Sequence, residues 1–160
     1  MLTGVAEEVA ATIYTDGNNI DLFDLGDYFM IFSLLYRDIS ITMSSDFRYI
    51  SSIQDINQES VTYLAEKYRS SEKSLEFYRN MQLDLFEYIR YRDRLDKRYR
   101  LAIRDIKREN PLLVVFEGIA ISLAVAAILS GGKYEIGPLR VELPPIAKGL
   151  EELISLFRKK

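Results

Sequence analysis

The chain has no cysteine, no histidine and no tryptophan among its 160 residues. Without cysteine there are no disulfides, thiol nucleophiles or thiolate metal sites, and the redox compartment leaves no mark on the sequence. Without histidine, the usual zinc sites, the Ser-His-Asp and Cys-His nucleophile pairs and the commonest general base at neutral pH are excluded. Proline is scarce, at 4 residues, and none of these nor any of the 8 glycines lies between residues 59 and 109. The glycines form no phosphate-binding pattern either. Gly131-Gly132 lacks the further glycine and the Lys-Ser/Thr of a P-loop, and no glycine triplet has dinucleotide-binding spacing. Residues 1–11 carry Glu7 and Glu8 where a secretory signal would be basic. A cytoplasmic location is therefore the expectation.

At 48% hydrophobic and 12% aromatic the chain has ample material for a core. One α+β domain over residues 1–160 is expected, in three parts: 1–57, 58–110 and 111–160. The net charge of −3 hides an asymmetry. Residues 1–60 hold ten acidic residues against Arg37 and Arg48, a balance of −8; residues 61–110 hold thirteen basic against nine acidic, +4; the remainder adds +1. Opposite signs suggest that the acidic first third docks on the basic second part, within one chain or between copies.

The first part reads as β-α-β-β. Residues 9–15 have strand composition and end in the turn formers Asp16, Gly17, Asn18 and Asn19. A helix capped by Asp21 follows, with Leu22, Leu25, Phe29, Phe32, Tyr36 and Ile39 on one face. Ile39, Ile41 and Met43 then alternate with Ser40 and Thr42, and Phe47, Tyr49 and Ile53 follow a Ser44-Ser45-Asp46 turn, which predicts two short strands.

The second part reads as a long charged helix. Leu64, Tyr68, Leu75, Tyr78, Leu85, Ile89, Tyr99, Ile103 and Ile106 recur at helical spacing, with a break expected near Ser70-Ser71. Fifty helical residues would extend roughly 75 Å, too long for one compact domain unless broken or paired. Arg90, Arg94, Lys97, Arg98, Lys107 and Arg108 give it a basic face interleaved with tyrosine. Such a surface can stack bases and bind phosphates, but Asp93, Asp96 and Asp105 interrupt it and the overall pI is near 5.1. A solvated or partner-facing helix is the preferred reading, with nucleic-acid binding ranked third.

The third part opens at Asn110-Pro111, which ends one helix and starts the next. The run from Leu112 to Leu129 is almost wholly apolar and carries one charge, Glu117, so it is expected to be a central buried helix. Its length, about 27 Å as a helix, makes membrane insertion the alternative. Gly118, Ser122 and Ala126 fall at i, i+4 and i+8 of that helix, a small-residue stripe for close helix packing. After Gly131-Gly132, a hairpin with Tyr134, Ile136, Leu139, Val141 and Leu143 is predicted, stopped by Pro144-Pro145. An amphipathic helix with Ile146, Leu150, Leu153, Ile154 and Phe157 on its inner face closes the chain.

Asp16, Asn18, Asn19, Asp21, Asp24 and Asp27 are rich in oxygen, but the ligand order of a calcium loop is missing, and turn and capping roles account for them. No carboxylate pair stands out as acid and base. The expectation is a non-enzymatic adaptor or oligomerisation module with no catalytic residues, no cofactor and no metal. Its partners are expected to be copies of itself or another protein. The alternative is a membrane-associated effector inserting residues 112–129.

Overall fold

A computed structural model describes residues 7–14, 21–50, 55–72, 99–107, 111–135 and 139–158. Within them the protein is a mixed α+β structure with a five-stranded sheet and four α-helices. In chain order these are β1 (Glu7–Ile13), α1 (Leu22–Thr42), α2 (Gln58–Arg69), β2 (Ala102–Lys107), β3 (Leu112–Gly118), α3 (Ala120–Leu129), β4 (Lys133–Glu135), β5 (Arg140–Leu143) and α4 (Ile146–Arg158). The strand order across the sheet is β2-β3-β1-β5-β4. Among the described strands only the β1–β5 pair is parallel.

β1 stands at the centre and shows the period of two expected of a sheet with one covered face. Val9, Ala11 and Ile13 are buried, while Glu8, Ala10 and Tyr14 are exposed. Its inner residues sit beside Phe116, Val114 and Leu112 of β3, and Ala11 and Ile13 sit beside Val141 and Leu143 of β5. α1 begins at its expected cap: the Asp21 carboxylate accepts from the N–H groups of Phe23 at 2.8 Å and Asp24 at 3.2 Å. Its rings meet the sheet, with Phe29 and Phe32 packed on Phe116 at centroid distances of 6.0 and 5.8 Å. Leu22, placed by its spacing on the buried face, is instead 78% exposed, and Phe23 is 84% exposed.

Among the described residues neither of the two strands expected after α1 forms, and Ile53 lies outside them. Residues 39–42 continue the helix and Asp46–Tyr49 form a 3-10 turn. Three alternating residues are too few to separate strand from helix, and contacts decide. Ile39 and Met43 are buried one turn apart, whereas Ile41 is 42% exposed. Ser40 donates back to the Tyr36 carbonyl at 2.8 Å, a bond that only a helix offers.

α2 starts at a capping box, in which Asn57 accepts from the Ser60 N–H at 2.8 Å and Ser60 Oγ accepts from the Asn57 N–H at 3.3 Å. It ends at Ser70, where the break was expected. Two contacts tie it to the first third: Lys67 pairs with Asp46 at 2.6 Å, and the Tyr68 hydroxyl donates to Asp38 at 2.6 Å. Residues 73–98 lie outside the described residues. Beyond them the helical reading fails, because residues 102–107 form β2 on the edge of the sheet. A bulge between Ile103 and Asp105 explains the misreading. The extra residue brings Ile103 and Ile106 onto the same side, beside Phe116 and Val114, although they are three apart in sequence.

The largest correction concerns residues 112–129, which form a strand followed by a short helix. β3 is flanked on both sides, and its outer positions Leu113 and Val115 are also apolar, so the alternation of a strand is invisible in the sequence. After Ile119 the alanine-rich stretch forms α3, every residue of which is buried except the half-buried Ile128. α3 lies in the interior against α1, α2, α4 and the sheet. The expected central buried helix is thus present over 120–129. Gly131, with φ of +82°, ends α3 in the left-handed conformation that glycine adopts at least cost. β4 and β5 pair antiparallel and α4 follows, as expected, while Ile136 and the side chains of Ile154 and Phe157 lie outside the described residues. α4 packs on α1, with Gly149 against the ring of Tyr28.

Candidate interaction surface

Two groups of polar residues stand out. The first is buried at the junction between β3 and α3. Ile119 donates its N–H to the Tyr36 hydroxyl at 2.6 Å, and Ser40 Oγ lies 2.8 Å from Ser122 Oγ. Together these bonds satisfy the polar groups where the chain turns from sheet to helix inside the core. Burial raises the pKa of Tyr36, and the bonds to Ile119 and Ser40 offset part of that rise. The group fastens α1 to the junction of β3 and α3.

The proposed packing stripe belongs to this interior. Gly118 ends β3, so it is not on a helix with Ser122 and Ala126, and the i, i+4, i+8 geometry does not exist. Gly118 leaves room for Tyr36: a Cβ placed there would come within 2.7 Å of the hydroxyl. Ser122 and Ala126 are fully buried. Of the basic face, Arg90, Arg94, Lys97, Arg98 and Arg108 lie outside the described residues, and Lys107 is exposed at the end of β2. The inserting helix has lost its element too: among the described residues, no helix is long and apolar enough to cross a membrane. None of their acidic groups cluster in a way that could hold a metal ion.

The second polar group is on the outer face of the sheet, which no described helix covers. Strand register arranges its side chains in two rows. One row runs Asp105, Val115, Ala10, Arg140, Glu135; the next runs Lys107, Leu113, Thr12, Glu142, Lys133. The centre of each row is apolar or small, and its ends are charged. Leu113, Val115 and Thr12 are half-buried, whereas Ala10 and all the charged members are exposed. Above the rows, Arg104 pairs with Glu117 across β2 and β3. Below them stands Tyr14, 42% exposed.

One fragment of this surface was legible beforehand, because the alternation of Leu139, Val141 and Leu143 leaves Arg140 and Glu142 on the other face. The rest depended on β2 and β3 being strands. No family model, curated protein or solved structure matches the chain.

Proposed function

We propose that the protein is a non-enzymatic, adaptor-like interaction module that docks partners on the outer face of its sheet. The observation that carries this reading is the strip formed by the exposed Ala10 and the half-buried Thr12, Leu113 and Val115, which no described helix covers, at the middle of the sheet inside a frame of charged side chains. An apolar centre with a polar rim is the arrangement of a protein interface. The frame keeps the surface soluble, while the strip supplies the area worth removing from water.

A photoreactive residue in place of Val115 tests it, with the same residue at Glu66, exposed on α2, as control. Adducts with a protein of defined mass are expected from position 115 and not from position 66. Absence of any adduct from position 115, both in cells and with the purified chain, would refute the reading, as would identical adducts from both positions.

A further inference from the structure

Resting on that reading, we propose that the partner is a second copy of this chain, packed sheet to sheet about a two-fold axis that crosses the strands midway between the two rows. Rotation about this axis lays each residue of one row over the other row's residue on the same strand of the second copy. On β2, Asp105 then faces Lys107; on β5, Arg140 faces Glu142; on β4, Glu135 faces Lys133. On β3 and β1, Val115 meets Leu113 and Ala10 meets Thr12. Every strand that carries charge in these rows carries one residue of each sign, so the face is complementary to itself. One step further out, Glu8 lies over Tyr14, whose hydroxyl can donate to it.

The alternative two-fold axis, parallel to the strands between β3 and β1, fits less well. It also opposes unlike charges, Asp105 over Arg140 and Lys107 over Glu142, but it lays Glu117 over Glu8, two acids, and leaves both charges of β4 with nothing opposite. Across the strands, Glu117 falls beyond the rows and keeps its own partner, Arg104. Cross-strand pairing within the hairpin explains why Arg140 adjoins Glu135 and Glu142 adjoins Lys133. It does not explain Asp105 and Lys107, whose cross-strand neighbours are Val115 and Leu113.

The available area sets the strength. Five strands of three to seven residues, about 4.8 Å apart, give a face of roughly 24 by 18 Å. Two copies would bury roughly 900 Å², below the range of stable interfaces and within that of weak, transient ones. The dimer is therefore weak and concentration-dependent, with the sheets aligned at about −30° as in other face-to-face packings.

Sedimentation velocity on the purified full chain over a wide concentration range tests the proposal, with circular dichroism to confirm that each variant folds. The wild type should move from monomer to dimer. Asp105→Lys and Lys107→Asp, both at exposed edge-strand positions, should each weaken the dimer by about tenfold or more, since each reversal acts twice in a symmetric pair. Both substitutions in one chain should restore it, because opposite charges again meet across the axis. Single reversals without effect, or a double variant that stays weakened, would overturn this register and axis. A wild type that is monomeric throughout would overturn self-association altogether. If position 115 nevertheless forms an adduct with a different protein, the outer face remains an interaction surface and only the identity of its partner is refuted.

Discussion

Tyr36 shows how much one side chain can decide here. Its ring is buried between α1 and the sheet, and its hydroxyl accepts from the Ile119 N–H at 2.6 Å where α3 begins. Tyr36→Phe leaves that N–H without a partner in the core and should cost about 1–3 kcal/mol, seen as a lower urea midpoint with an unchanged slope. Gly118→Ala should cost a similar about 1–3 kcal/mol, because the new Cβ meets the same hydroxyl. The two changes share one oxygen, so the double variant should cost less than the sum of the singles; strict additivity would show that the contact does not exist. Tyr28 adds a pH dependence. Its hydroxyl is buried with no hydrogen-bond partner in normal geometry, and burial raises the pKa of Tyr28 and Tyr36 alike, with the Ser130 hydroxyl offsetting part of the rise at Tyr28. Both phenols are thus protonated in the fold at pH values where the unfolded chain, with a phenol pKa of about 10, releases its protons. Their contribution is complete below about pH 10 and falls as pH climbs toward the folded values, by up to about 1.4 kcal/mol per pH unit for each. Urea midpoints across alkaline pH, followed with tyrosinate absorbance, should fall as the phenols ionise. With no histidine in the chain, no imidazole adds a step near neutrality.

Among the elements, α3 is the one whose surroundings matter most. Ten residues long and enclosed on all sides, it has no polar face to turn outward. Ala124 is fully buried, so Ala124→Arg places a charge with no partner in a packed interior and should cost more than about 4 kcal/mol. Loss of the cooperative unfolding transition would be the readout; a soluble variant with a wild-type midpoint would show that α3 has an open side. Its C-terminus gives a milder test. Gly131→Ala forces a Cβ into the left-handed region and should cost about 1 kcal/mol. The edge strand β2 works differently: Ile103 and Ile106 remain 43% and 48% exposed, and the bulge at Arg104 twists an edge that would otherwise be a ready template for pairing.

At the scale of the whole molecule, β1 joins distant parts of the chain. Residues 7–13 pair with 112–118 on one side, and residues 11–13 pair with 141–143 on the other. Such pairings require closure of long loops before any contact forms, which slows folding. Refolding followed by stopped flow should therefore take milliseconds to seconds, on the order expected for sheets with non-local pairing; completion in microseconds would contradict a sheet centred on β1. Native-state hydrogen exchange offers a second view. The amides of Ala11 and Ile13 should open only with global unfolding, whereas those on the free side of β2 should exchange through local opening.

Local chemistry made several elements legible in the sequence alone. Asp21 caps α1, Gly131-Gly132 ends α3, and the Arg140-Val141-Glu142-Leu143 alternation marks β5, because caps, left-handed turns and a strand with one wet face are set by neighbouring residues. The α+β class followed from them. The sequence could not divide residues 112–129 into strand and helix, since a run that is apolar on both faces has lost the period that distinguishes the two. Nor could it identify β2, where a bulge gives Ile103 and Ile106 the spacing of a helix. Tertiary structure decided both, because a strand is completed by hydrogen bonds to other strands, and β3 found them in β1 and β2. The same decision removed the helical stripe of Gly118, Ser122 and Ala126 and created the outer face, whose rows draw on five strands spread from residue 7 to residue 143. A surface assembled from such distant segments exists only once register is fixed, so no local pattern could have announced it.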